Sequence, residues 1–283
     1  MTQQIQTIAI AGAGTMGSGI AQITAAAGFK TILFDISADM LKKAELGMIK
    51  TLDVLLEKQK ISAEKRDSIL ANIQYTDKMG ALVADLVIEA IVERLDAKHE
   101  FFQSVATFNT PQTILASNTS SIPITQIAAK IPYPERMLGI HFFNPAPVMK
   151  LVEIISGVQT ENAIALTCKN LIEGMGKTCV MVKDAPGFIV NRVARHYYVE
   201  SLKILEENLA KFEDIDALME SSGFKMGPFR LMDLIGVDTN FSVTSSVFNS
   251  FYQDSKFRPS RIQQQKVDAG YYGKKSGKGF YEY

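Results

Sequence analysis

His141 and Glu153 are the pair most able to do chemistry in this chain. They belong to two short apolar runs, Arg136–His141 and Met149–Ile155, separated by Phe142-Phe143-Asn144-Pro145-Ala146-Pro147-Val148. Both runs read as buried strands, so the Asn-Pro-Ala-Pro turn can fold Glu153 back beside His141. An imidazole oriented by a carboxylate moves a proton near neutral pH. Loss of hydride from an alcohol carbon needs such a device, because the hydroxyl proton must leave at about the same time.

A second constellation complements the first. Gly12-Ala13-Gly14-Thr15-Met16-Gly17 fits the dinucleotide-binding pattern, with a strand expected before it and a helix after it. Gly12 permits the tight turn, Gly14 admits a pyrophosphate to the backbone, and Gly17 lets the helix pack on the sheet. The N–H groups at the start of that helix, at Thr15 and Met16, then face the anion. Asp35 closes the second strand, where a carboxylate accepts hydrogen bonds from an adenosine ribose and repels a 2′-phosphate; no Arg follows it. NAD is favoured over NADP.

These residues need a sheet to hold them. Ile5–Ala11, Thr31–Phe34, Asp85–Ala90, Thr113–Ala116, Met137–His141, Leu151–Ile155 and Thr178–Val182 read as short strands buried on both faces, with a helix at Met16–Ala27. The alternation predicts an α/β fold, a Rossmann-type doubly wound, mainly parallel sheet. Ala38–Lys60 and Ala63–Leu70, with Ser62 as a helix start, predict a helical hairpin excursion projecting from the sheet. Its basic and acidic side chains nearly balance, as on a solvated surface. Beyond Asp184-Ala185-Pro186-Gly187 the periodicity turns helical, over Phe188–Asn208, Phe212–Ser221, Phe229–Gln253 and Ile262–Ala269. The expected division is residues 1–183 as the nucleotide-binding domain and 184–283 as an all-α C-terminal domain.

Composition narrows the classes further. The 283 residues are 47% apolar and 21% charged, ordinary for a globular chain, and thirty basic side chains cancel thirty acidic ones. That balance argues against nucleic acid or an anionic membrane as the main partner. Cys168 and Cys179 have no ligand-like spacing to His, so buried thiols are expected, with neither a disulfide framework nor a metal site. Met-Thr-Gln-Gln-Ile-Gln lacks a basic, apolar leader, and no run approaches a membrane span, so a cytoplasmic location is expected.

Taken together the motifs resemble those of the 3-hydroxyacyl-CoA dehydrogenases, including the short-chain 3-hydroxybutyryl-CoA type. The resemblance covers essentially the whole chain. It rests on Gly12–Gly19, Glu89-Ala90-Ile91-Val92-Glu93, Ser117-Asn118-Thr119-Ser120-Ser121, His141–Glu153 and Asp184–Arg192. Met226-Gly227-Pro228-Phe229, Met232–Gly236 and the ending Gly273–Tyr281 add to it. The resemblance implies that His141 and Glu153 are the catalytic pair and that Ser120 and Asn191 hold the substrate's 3-oxygen and thioester region. Asn144 would help order the same pocket. It implies NAD contacts at Asp35, Glu93, Lys98 and Lys275, with Ser120 and Asn144 beside the cofactor as well. Thr51 and Lys58 of the hairpin would meet coenzyme A. The implied reaction is NAD-dependent oxidation of an (S)-3-hydroxyacyl-CoA to the 3-oxoacyl-CoA, and its reverse. A homodimer through the C-terminal domain is expected, in a fatty-acid, butanoate or polyester-precursor pathway. L-gulonate 3-dehydrogenases share the glycine fingerprint and the His–Glu pair; the hairpin with Lys58 and the Lys274-Lys275 ending favour a CoA thioester. A non-catalytic protein on this fold would carry a lesion in the His/Glu/Ser/Asn set, and none is present.

Overall fold

The computed structural model describes residues 4–283, so the first three residues of the stretch read as leaderless lie outside the described residues. The chain divides into two units, the first ending at Asp184 and the second spanning Ala185–Tyr283.

The first unit alternates strand and helix. Its elements are β1 (Thr7–Ala11), α1 (Thr15–Ala26), β2 (Lys30–Phe34), α2 (Ala38–Glu57), α3 (Ala63–Ala71), β3 (Ile73–Thr76), β4 (Leu86–Glu89) and α4 (Leu95–Phe108). β5 (Ile114–Ser117), α5 (Ile124–Ala128), β6 (Met137–Phe142), β7 (Leu151–Ser156), α6 (Asn162–Gly174) and β8 (Thr178–Lys183) follow. The strands form one sheet in the order β3-β2-β1-β4-β5-β6-β7-β8. Strands β3 through β6 run parallel, β7 is antiparallel to β6, and β8 is parallel to β7. The order reverses between β1 and β4, the place where open α/β sheets bind ligands beyond the strands' carboxyl ends.

Central strands β1, β4, β5 and β6 are buried along almost their whole length, which is why they are continuous runs of Ile, Leu, Val and Ala. Two edge strands depart from expectation. β8, read as buried on both faces, buries only Cys179 and Val182 of its six residues. β3 went unnoticed because only Ile73 of its four residues is buried. The helical hairpin is real, but it packs back through Leu41, Ala44, Met48, Leu52 and Ile69 into the main core rather than projecting freely. Ser37 and Ser62 cap its two helices by accepting the N–H groups of Met40 and Lys65.

The second unit is helical: α7 (Val190–Glu206), α8 (Phe212–Ser221), α9 (Pro228–Ile235), α10 (Val237–Ser250) and α11 (Arg261–Asp268). Tyr198, Leu202, Ile215, Phe229, Met232, Val237 and Phe280 form its core. The single helix expected over Phe229–Gln253 is two. Gly236 adopts φ +107°, a conformation L side chains rarely reach, and the axis breaks there.

Candidate active site

Strand pairing brings His141 and Glu153 together. They are direct partners in the antiparallel register of β6 and β7, so their side chains leave the same face of the sheet as neighbours. His141 Nδ1 lies 2.8 Å from Glu153 Oε2, with Glu153 only 1% exposed. An ionised carboxylate only accepts, so the Nδ1 position carries the proton and Nε2 becomes the basic nitrogen of the ring. Burial strengthens this bond and holds the ring in one orientation. The Phe143 ring packs 4.5 Å away, centroid to centroid. Asn144, exposed in the turn, precedes a cis bond to Pro145.

The glycine turn is built for an anion. A Cβ on Gly12 would stand 2.5 Å from Ala90 O, and one on Gly17 would stand 1.7 Å from Gly12 O. A Cβ on Gly14, by contrast, meets no protein atom within 4 Å, so its bareness leaves room for something other than protein. Gly14 caps α1 without any side-chain hydrogen bond, and the first turn of that helix holds no acidic residue. The N–H groups of Thr15, Met16 and Gly17 therefore present an uncompensated positive end. Beside the turn lies a cavity of about 560 Å³ lined by Gly12, Gly14, Asp35, Ala90, Ile91 and Val92 among others. Asp35 accepts the N–H groups of Ala13 and Ser37, one on each oxygen, which pins the carboxylate at the cavity rim and leaves each oxygen a further acceptor site. These residues fit an adenine dinucleotide carrying a free ribose 2′-hydroxyl.

Glu93 and Lys98, implied as cofactor contacts, are also tied into the protein. Lys98 is 1% exposed, and its Nζ lies 2.6 Å from Glu89 Oε1 and 3.1 Å from Glu93 Oε2. Glu93 Oε1 accepts the Thr119 hydroxyl, the Ser120 N–H at 3.1 Å and the Ser121 N–H at 3.3 Å. Burial pushes the Glu93 carboxyl up. The Lys98 ammonium and the Thr119 and Ser121 hydroxyls outweigh this and hold it below the usual carboxylate range. Ser120 thus sits in a loop anchored by Glu93, and Asn118 in the same loop accepts the N–H of Phe142, next to His141. Glu89, Ser117 and Thr119 lie in the motifs that carry the resemblance, but no role was assigned to them from the sequence. A carboxylate ending the buried apolar strand Leu86-Val87-Ile88 was the available signal.

A second cavity, about 390 Å³, is lined by Gly14, Gln22, Lys43, Gly47, Thr51, Pro145 and Pro147 with their neighbours. Thr51 lines this cavity, its hydroxyl donating to Gly47 O at 2.8 Å. Lys58 is exposed at the end of α2 and is not among the lining residues. Lys43 is, and it was missed although Lys43, Gly47 and Thr51 share one helix face by their spacing. In the second unit, Asn191 stands in the first turn of α7, its carbonyl accepting Arg195 Nε. Lys275 pairs with Asp238 there at 2.7 Å. Among the described residues no group of three His, Cys, Asp or Glu could hold a metal, and no helix is long and apolar enough to cross a membrane.

A doubly wound sheet with this turn and Asp35 defines the NAD-binding domain of an oxidoreductase. Residues 7–185 match the family model of the 3-hydroxyacyl-CoA dehydrogenase NAD binding domain, and residues 187–283 that of the C-terminal domain. The chain belongs to the 3-hydroxyacyl-CoA dehydrogenase family. It is 49% identical, over its full length, to 3-hydroxyadipyl-CoA dehydrogenase of Escherichia coli, but it spans only 60% of that protein. It is 44% identical to a probable 3-hydroxybutyryl-CoA dehydrogenase of Bacillus subtilis, covering 99% of this chain and 98% of the relative. The solved (S)-3-hydroxybutyryl-CoA dehydrogenase of Ralstonia eutropha superposes with a TM-score of 0.96 at 39% identity, covering 99% of both chains.

Proposed function

We propose that the chain interconverts an (S)-3-hydroxyacyl-CoA and the 3-oxoacyl-CoA with NAD, using short acyl chains such as 3-hydroxybutyryl, and that His141 and Glu153 run the proton transfer. The observation that carries this reading is the 2.8 Å bond from His141 Nδ1–H to Glu153. It directs Nε2 to accept the C3 hydroxyl proton, and Glu153 stabilises the imidazolium that forms. NAD, when held by Asp35 and the Gly12–Gly17 turn, would supply the hydride acceptor. Ser120, Asn144 and Asn191 orient the 3-oxygen and the thioester. Glu93, Lys98, Asp35 and Lys275 hold the dinucleotide together with the Gly12–Gly17 turn. Thr51 and Lys58 meet coenzyme A, whose remote binding energy positions C3. The names of the Bacillus and Ralstonia relatives support the four-carbon thioester. The proposal also includes a homodimer through the helical unit, with residues 184–283 as the substrate and dimerisation domain, and a cytoplasmic location.

The test is loss of 340 nm absorbance with NADH and acetoacetyl-CoA, with NADPH run in parallel. L-gulonate with NAD and a 3-hydroxyadipyl thioester complete the panel, the latter because the Escherichia coli relative bears that name. Oxidation of NADH with acetoacetyl-CoA supports the reading, and activity confined to gulonate overturns it. His141→Ala should lower turnover by about 10²–10⁴-fold while NADH affinity stays nearly intact. More than a tenth of wild-type turnover retained would remove His141 from its role.

A further inference from the structure

Glu89 ends β4 and is 0% exposed, yet it carries three hydrogen bonds that reach in different directions. Oε1 takes the Lys98 ammonium at 2.6 Å and the Ile91 N–H at 2.8 Å, while Oε2 takes the Ser117 hydroxyl at 2.7 Å. Ser117 Oγ in turn accepts the Thr119 N–H at 3.1 Å. On the other side Lys98 passes to Glu93, and Glu93 gathers Thr119, Ser120 and Ser121. Both ends of the loop that carries Ser120 therefore lead back to one carboxylate, and so does the Ile91 backbone in the wall of the dinucleotide cavity.

We propose that Glu89 is a positioning residue for the reaction. Its charge divides Lys98 between two anions, leaving Glu93 Oε1 available to hold the Ser117–Ser121 loop and thereby to fix Ser120. The geometry makes the charge, rather than the shape, decisive. Lys98 is buried and must keep an anion. With Glu89 neutral, Glu93 is the one anion left at the ammonium among the described residues, and its carboxylate turns from the loop toward it. The loop then loses the acceptor of its hydroxyl and N–H groups, and the 3-oxygen is held less well. The inference rests on the assignment of Ser120 to the substrate oxygen.

A double-mutant cycle on the full chain tests it, with acetoacetyl-CoA and NADH both saturating. Glu89→Gln preserves volume and should lower kcat about 10–100-fold, the scale of an ångström-sized misplacement, with a smaller rise in the KM for NADH. Ser120→Ala should cost at least fivefold less in the Glu89→Gln background than in the wild type, because the loop is already released. A purely structural Glu89 would give costs that multiply. Should Glu89→Gln fail to fold, Ser117→Ala, which cuts the bonds to Glu89 and Thr119 but leaves the three charges in place, should leave the cost of Ser120→Ala unchanged; a reduced cost in that background would make shape rather than charge decisive and overturn the proposal. If Ser120→Ala alone leaves kcat unchanged, the Ser120 assignment falls and the positioning role with it. If Ser120→Ala is costly and its effect multiplies with that of Glu89→Gln, the positioning role alone is overturned.

Discussion

In the first unit Lys98, at 1% exposure, stands between the carboxylates of Glu89 and Glu93. In the second, Arg195, at 4% exposure, has no carboxylate within ion-pair distance among the described residues. Arg195 donates instead to the carbonyls of Asn191 and Asn240, each at 3.1 Å, and to the Thr244 hydroxyl at 2.9 Å, with the Tyr198 ring 4.9 Å beneath it. Burial without a counter-ion pushes its guanidinium down to about 10. The acids of that unit follow the same habit. Asp233, fully buried, accepts the N–H groups of Phe280 and Tyr281 and so fastens the C-terminal strap to α9. Asp216 does the like for Phe229 and Arg230 at the start of that helix. Buried Lys98 is matched by opposite charge around a loop with a proposed catalytic task; in the helical domain Arg195, Asp216 and Asp233 are held mainly by backbone dipoles and hydroxyls, with only a distant Arg230, 3.9 Å from Asp216, as a counter-ion, and they fasten segments together.

The contrast predicts unequal responses to the same kind of substitution. Lys98→Met keeps the volume but strands the fully buried Glu89 carboxylate and takes the counter-ion from the more exposed Glu93, and losing one member of a buried ion pair costs about 3–5 kcal/mol. The urea midpoint, followed by circular dichroism, should fall steeply, and an unchanged midpoint would show that the carboxylates find water or protons instead. Arg195→Met should cost less, no more than about 2 kcal/mol, because it removes an unpaired, desolvated charge along with its hydrogen bonds. Asn240 O also keeps its bond from the Thr244 hydroxyl. A larger loss for Arg195→Met than for Lys98→Met would erase the distinction between the two units.

What was legible in the chain follows the same division. The central strands could be read because burial on both faces leaves mainly apolar residues, and the His141–Glu153 pairing because a short Asn-Pro-Ala-Pro turn restricts how the two runs can meet. β3 was invisible: one buried residue in four leaves no periodic signal. Gly236 was passed over inside an apolar helical pattern, since a positive φ leaves no trace but the glycine itself. Lys98 and Glu93 were singled out only through the resemblance, as implied contacts of the cofactor. Their anchoring through Glu89 could not be read, because it joins β4, α4 and the loop after β5, which only the fold brings together. Arg195 looked like any polar residue on an amphipathic helix, and its burial comes from packing against α10.

The smallest effect, and the sharpest in sign, is in acid. Glu93 is held below its ordinary value of 4.5, although burial alone would raise it, because Lys98 and the hydroxyls of Thr119 and Ser121 favour the charged form. Its stabilisation is therefore present above 4.5 and drains away as pH falls through the lowered value, where the unfolded chain binds the proton first. Asp216 is the reverse case. Burial raises it above 3.8 despite the bonds from Phe229, Tyr281 and Arg230, so the folded state takes up its proton first and gains as the solution is acidified through the raised value. Glu93→Gln should accordingly flatten the fall in urea midpoint on the acid side, and Asp216→Asn should steepen it. Both are read from midpoints measured at intervals from neutral pH to about 3, below the ordinary carboxylate values. Slopes that change in the same direction would mean that the two acids sit in like environments, and that the two units do not differ in how they hold buried charge.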